Sequence, residues 1–501
     1  MHKAKRSGRH MAALALLLSM VCSAFVLPAG QVRADDRPVL APVNPDYLEW
    51  QNERVEARAA GESAVKVTSD GHALGLVPSR IDRSYLKDMA SESSPAAKAA
   101  NYPVTYDLRD HGKVTPVRDQ GQCGSCWAFG AYASLESRLL PGKQTDLAEN
   151  HLIDMHGFDS GPCGGGTYDM ATAYLASWGG PIPENKYPYE YLLTSSSLPA
   201  TSSSALMAAY HVQDVRIMFL TQNNLKAALT HYGAAVSISF YIDSSYYNES
   251  THGYYCNSDK VPDHAVAIVG WDDNYSSKNF TKTPPGNGAY LVKNSWGTGW
   301  GDKGYFWMSY YDKSLEGTAY VFYSAVSTKN YNWIYQYDPL GSTDHMGYGS
   351  NTAWMANIFK GNPLGSTVKA VSFYAPVDNT SYTVYIYKDV TTTADSDGNA
   401  VVKPRSGTKV AAQRGTVTAG YHTVKLTTPA KVTAGKNFSI MLRLKTPGYN
   451  YPMAIEAPHS GFSSRAYAIP GQSYVSSDGH KWYDLTKDEK ANVCLKAFGS
   501  K

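Results

Sequence analysis

Cysteine is scarce in this chain, six residues in 501. A second close pair to match Cys123 and Cys126 is missing, which excludes a zinc knuckle. Long apolar runs are scarcer still. The stretch 11–27 is uncharged and apolar over 17 residues, and no later segment is long and apolar enough to span a membrane. No repeat of fixed period occurs, which excludes solenoids and propellers. Surplus charge is missing too. Charged residues make up 18% and the formal net charge is +3. Residues 1–34 hold five basic side chains and no acidic ones, so the remainder carries −2 and gives no support for nucleic-acid binding.

What is present begins with a processing segment. Lys3, Lys5, Arg6 and Arg9 precede the apolar stretch, and "PAGQVRA" ends in Ala34 before Asp35 and Asp36. That pattern predicts an export signal over 1–34. The alternatives are an uncleaved anchor and a lipoprotein at Cys22, the latter disfavoured because Ser19-Met20-Val21 lacks a small residue before the cysteine. Export places the rest in an oxidising compartment. Five cysteines remain there, Cys123, Cys126, Cys163, Cys256 and Cys494, and an odd number leaves at least one thiol unpaired.

Residues 35–101 are rich in Ala, Ser and charge without a sustained apolar period. They read as a removable pro-segment and linker, with 74–89 as the part able to bind something, or else as a disordered leader. From Tyr102 the texture changes. Ala128, Tyr132, Leu135 and Leu139 recur at helical spacing behind Ser125, a candidate cap, until Pro141-Gly142 stops the run. Then "AAVSISFY" (234–241), "AVAIVGW" (265–271), "GAYLVKN" (288–294) and "GYFWMSYY" (304–311) read as strands. Helix first and strands second make 102–327 an α+β unit with two unlike halves. Past residue 328 only alternating segments remain, broken by Gly, Pro, Asn and Asp, which predicts a β-sandwich over 328–501. "DSDGNA" (395–400) reads as a hairpin tip, with a calcium loop as the rival. The tyrosines and tryptophans of this part either stack on sugar or pack a structural sandwich.

If Ser125 caps the helix, Cys126 lies in its first turn, where free N–H groups and the macrodipole favour a thiolate. Cys123 lies before the helix, outside that field. His264 opens a core strand 138 residues later, and Asn294, 30 residues beyond, can orient an imidazole while Trp296 and Trp300 exclude water. Gln120 and the Cys126 amide can hold an oxyanion.

"QGQCGSCWAF", "DHAVAIVGW" and "VKNSWGTGWGDKGY" together resemble the papain family of cysteine endopeptidases, over residues 102–325. The resemblance implies Cys126 as nucleophile, His264 as acid and base, Asn294 as orienter and Gln120 as oxyanion donor. It also implies a disulfide between Cys123 and Cys163. Gly165 and Gly166 resemble the backbone edge that pairs with an extended substrate. Thr167, Tyr168 and Ala265 are the candidates for an apolar second subsite, with Val321 near the far wall. No metal or organic cofactor is implied. Polypeptides are the expected substrates, and a cell-wall glycan or surface protein is a candidate partner of the C-terminal part. That part is similar to the lectin-like domain of bacterial surface proteases, and the 272–288 insertion between His264 and Asn294, longer than in papain, resembles bacterial surface members of the family.

Cys123 and Cys126 could form a thioredoxin-type redox pair, although "RDQGQ" is no strand of a βαβ unit. Asp263 reads as a solvated strand-end carboxylate. Cys256 and Cys494 either pair across the two domains or stay free. The protein could be a glycan adhesin whose protease domain serves assembly, or a maturase acting on its own pro-segment.

Overall fold

The computed structural model describes residues 37–500, apart from 62–64, 70, 93–100, 142–144, 191–205, 316, 365–366 and 395–399. The export signal and most of the 395–400 tip lie outside the described residues.

Helices gather toward the N-terminal side. α1 (Pro45–Ala60) and α2 (Tyr85–Glu92) belong to the segment before Tyr102. α3 (Cys126–Leu139) is the helix anticipated from its apolar spacing, and α4 (Glu149–Met155) and α5 (Tyr168–Ala176) pack beside it. α3 is buried along nearly its whole length because it backs onto a sheet on one side and onto α4 and α5 on the other. Such a helix needs apolar residues on more than one face, as in "CWAFGAYASL". α6 (Gln222–Tyr232) is capped by Thr221 and ended by Gly233 in the left-handed region.

The anticipated strands form at 236–240, 264–272, 289–293 and 305–309. They pair in that order, all antiparallel. Strand Thr318–Ser327 continues the sheet onto Tyr210–Phe219. The sheet does not stop at residue 328. Strand Gly420–Lys431 of the C-terminal half pairs with Tyr210–Phe219, Gly420 against Arg216 and His422 against Asp214. Thirteen strands therefore run through both halves. A second sheet of six strands lies against the C-terminal part of the first, and the two enclose a core of Val371, Phe373, Val384, Ile386, Ile440, Leu442 and Leu495. This is the α+β protease-like body and β-sandwich that the sequence predicts.

The segment before Tyr102 is more structured than its composition suggests. α1 buries Tyr47 completely, against Trp50 and Phe462. Strand Val39–Leu40 pairs with Met346 and Gly347. The Arg83 guanidinium donates two hydrogen bonds to Asp169, at 2.7 and 2.9 Å. Burial works against ionisation of Asp169, but the Arg83 charge and its hydrogen bonds outweigh it and hold the carboxyl below its ordinary range.

Candidate active site

Cys126 begins α3, so its sulfur sits where the helix leaves N–H groups free. Ser125 occupies the cap position, yet its side chain makes no capping bond. Its hydroxyl lies 2.7 Å from the Tyr189 hydroxyl instead. Cys123 is bonded to Cys163, and Cys126 is free and buried. That arrangement removes the redox-pair reading, because the two thiols of the pair have separate fates. Cys256 and Cys494 are also free and buried, so the cross-domain disulfide does not form.

His264 opens its strand fully buried, and its neighbour Ala265 brings a backbone N–H to the Cys126 sulfur. His264 Nε2–H donates to Asn294 Oδ1 at 2.8 Å. That bond fixes the proton on Nε2 and leaves Nδ1 as the acceptor, buried and without a hydrogen-bond partner. Trp296 stacks on His264 with ring centroids 4.7 Å apart. Trp300 meets Trp296 edge-on at 5.0 Å and acts through it.

Gln120 is buried, and its amide is held in one orientation. Ser295 Oγ donates to Oε1 at 2.6 Å, which turns Nε2 outward as a donor. Nε2 donates to the Cys123 and Ala73 carbonyls, both at 2.9 Å. Ala73 belongs to the N-terminal segment. That segment crosses the whole site. His72 stacks on Trp296 at 4.3 Å, and the Gly75 backbone lies within hydrogen-bonding reach of the Cys126 sulfur. Gly166 N–H donates to Gly75 O at 2.9 Å, and Val77 N–H donates to Gly166 O at 3.0 Å. Leu76 thus pairs with Gly166 as a parallel bridge. Two glycines make this approach feasible. A Cβ on Gly75 would come within 2.0 Å of the Gly124 carbonyl oxygen, and one on Gly166 within 2.4 Å of the Trp127 ring.

Burial at this site reverses the expected electrostatics. The helix position predicts a depressed thiol pKa. Burial instead pushes Cys126 up to about 12, against the lowering effect of the Ala265, Gly75 and Trp127 backbone groups. Burial likewise lowers His264 to about 4, opposed by its bond to Asn294. Thiol and imidazole are therefore both neutral in this state. Asp263 also departs from the sequence reading. It is half-buried, and burial raises it to about 7 despite the Ile242 N–H donated to it.

The subsite candidates fall elsewhere. Thr167 caps α5 through Met170 N, and the Tyr168 hydroxyl donates to the Ile238 and Val266 carbonyls. Both turn inward because they open a buried helix. Val321 is fully buried in the core of the β-rich half. A cavity of about 240 Å³ lies beside Gly164 and Gly165, bounded by Tyr241, Val261 and Asp263 and, from the N-terminal segment, by Trp50 and Glu53. Thr167, Tyr168 and Ala265 do not line it. Gly75 and Leu76 fall within the 74–89 stretch expected to bind something, and they lie along Gly166. His72 and Ala73 precede that stretch and escaped sequence reasoning, Ala73 because it acts through its carbonyl, which carries no residue signature. Among the described residues no group of His, Cys, Asp or Glu is arranged to hold a metal ion.

Residues 102–325 match the papain family of cysteine proteases, and residues 334–499 match a lectin-like domain. A cathepsin L-like peptidase of Aedes aegypti is 36% identical over 218 residues, 41% of this chain and 59% of that protein. Cathepsin K of Mus musculus is 35% identical over 213 residues, 40% of this chain and 58% of the mouse protein. The chain thus spans under two thirds of the curated relatives it matches. Two solved structures cover more. The cysteine protease and lectin-like domains of Cwp84, a surface layer associated protein of Clostridium difficile, superpose with a TM-score of 0.73 at 26% identity, covering 93% of this chain and 99% of that one. A clostridial Cwp84 variant after propeptide cleavage gives 0.68 at 28% identity, covering 79% and 99%. A free cysteine at a helix start, a histidine bonded to an asparagine and an oriented glutamine lie within residues 102–325, which form a papain-family cysteine protease domain, and residues 334–499 form a lectin-like domain.

Proposed function

We propose that this protein is a secreted cysteine endopeptidase made as a proenzyme. Cys126 is the nucleophile. Once the cleft is open, His264 Nδ1 takes the thiol proton and the sulfur attacks a peptide carbonyl. The oxyanion forms against Gln120 Nε2–H and the Cys126 amide. Imidazolium returns its proton to the departing amine, leaving a thioester. Water, deprotonated by the same imidazole, then releases the acid and restores the thiol. Asn294 holds the ring through its 2.8 Å bond. The observation that carries this reading is the Ala73 carbonyl on Gln120 Nε2, a peptide carbonyl already held by the proposed oxyanion donor.

Latency follows from the same contacts. The segment around His72–Val77 holds the oxyanion donor, the Trp296 face and the Gly166 edge at once. The cavity beside Gly165 is the proposed second subsite, with Tyr241, Val261 and Asp263 as its protein walls. Polypeptides are the substrates, and the likeness to a surface layer associated protein supports an extracellular or cell-surface location. The test is labelling with a thiol-reactive epoxide after removal of residues 1–101. A single adduct on Cys126 and loss of peptide cleavage are expected. Cleavage that survives Cys126→Ala in a folded protein would refute the assignment.

A further inference from the structure

The chain is electrically divided. Residues 102–327 carry 14 Lys and Arg against 21 Asp and Glu, a formal −7, whereas residues 328–501 carry 19 against 11, a formal +8. Part of that surplus lies on one face. In the six-stranded sheet, Val384, Ile386, Leu442 and Leu444 point into the sandwich core. Strand residues alternate between faces, so Thr383, Tyr385, Arg443 and Lys445 lie on the outer side. Cross-strand register aligns Trp354, Arg443, Thr383 and Arg414 in one row, and Thr352, Lys445, Ser381 and Thr416 in the next. Neither row contains a carboxylate. Arg414, Lys445, Ser381 and Thr416 are exposed, and Trp354, Arg443 and Tyr385 are half-buried.

The aromatic group in the row is held in place. The Arg443 guanidinium sits 5.9 Å from the Trp354 ring centroid, and the Tyr385 ring lies nearly parallel at 5.9 Å. Gly479 presses on the indole so closely that a Cβ there would come within 2.7 Å. Trp354 and Tyr385 also pack against a small cluster that includes Val390, Val402 and Tyr474, which bounds the face on that side.

We propose that this face binds an acidic polysaccharide. The apolar C–H side of a sugar ring packs on Trp354, and its carboxylates meet the guanidinium groups of Arg443 and Arg414, whose forked donors suit that shape. The two arginines stand two strands apart, about 10 Å, comparable to the length of a disaccharide, so alternate sugars present the charge. Ser381, Thr383 and Thr416 supply hydroxyls between them. The inference is independent of peptide cleavage.

Affinity electrophoresis of the full chain in gels containing polygalacturonate or neutral dextran tests it. Retardation by polygalacturonate and not by dextran is expected. Trp354→Ala and Arg443→Gln should each weaken it about tenfold, 1.4 kcal/mol, while Lys431→Gln, on the other sheet, leaves it unchanged. Absence of retardation overturns the proposal. So does retardation that ignores Trp354→Ala, or that Lys431→Gln weakens equally, since either marks charge alone. A dimer that depends on Trp354 in sedimentation also overturns it, because the face would then serve a second copy. Should Trp354→Ala fail to fold, Thr383→Glu adds a repelling charge without removing packing. It must abolish retardation at unchanged Tm, and persistence sinks the proposal.

Discussion

Asn294 makes one hydrogen bond to His264 and accepts a second from the Ser295 amide, so its side chain is fixed before any substrate arrives. Asn294→Ala removes the partner of Nε2 and frees the ring to rotate. We expect kcat to fall by about 10²-fold, the low end of general acid–base effects, with KM little changed, as measured on a fluorogenic peptide. Glu456 is a residue-scale case of the opposite kind. Burial raises its carboxyl to about 8, with nearby Asp338 adding to the effect and the Leu340 N–H opposing it. The native state therefore keeps a proton that the unfolded chain loses above about 4.5. Stability is fully present below that value and declines as pH rises toward 8. Glu456→Gln should match the wild type near pH 4 and exceed it at pH 8, by on the order of 3 kcal/mol. Urea midpoints at the two pH values check this. Residue types at the site were legible in the sequence, because a thiol, an imidazole and two amides are chemically distinctive. The protonation of Cys126 was not, because it depends on what covers the sulfur.

At the scale of elements, α3 and the strands of the β-rich half followed from spacing and from Pro141-Gly142, whereas α1 did not. Its charges interrupt the apolar pattern, and Tyr47 and Trp50, which touch each other, complete their burial across the molecule, at Phe462 and beside the cleft. The sequence marked 74–89 as the part able to bind something but not where it binds, since the segment's bonds to the cleft use the carbonyls of Ala73 and Gly75, which every residue carries. What anchors that path is side-chain chemistry further on. Arg83 and Asp169 are almost buried, with 7% and 14% of their side chains exposed. Arg83→Ala leaves the Asp169 charge uncompensated, a change that costs about 3–5 kcal/mol at buried pairs. The expected result is faster alkylation of Cys126 in the uncut chain, read by mass spectrometry over time. An unchanged rate would show that the anchor does not govern access.

Over the whole molecule, the two halves were visible in the sequence as a change of texture at 328. Their union was not, because three cross-strand pairs between Tyr210–Phe219 and Gly420–Lys431 involve backbone far apart in the chain. Arg216 reinforces the seam. It donates to the Ala419 carbonyl at 3.0 Å and pairs with Asp378, whose side chain is half exposed. Arg216→Ala should cost about 1–2 kcal/mol and split one calorimetric transition into two. A single sharp transition in that variant would mean that the sheet alone couples the halves.

Residues 37–92 grip the rest of the molecule at several separate places, among them the Met346–Gly347 edge of the lectin-like half, Phe462, Asp169 and the cleft. A nick between residues 92 and 102 breaks none of these grips. Severing the backbone and baring the sulfur are thus distinct events, the second governed by a dissociation rate. For the proposed proenzyme, a freshly clipped molecule is expected to stay silent until its former leader diffuses away, and excess free leader added back is expected to restore that silence.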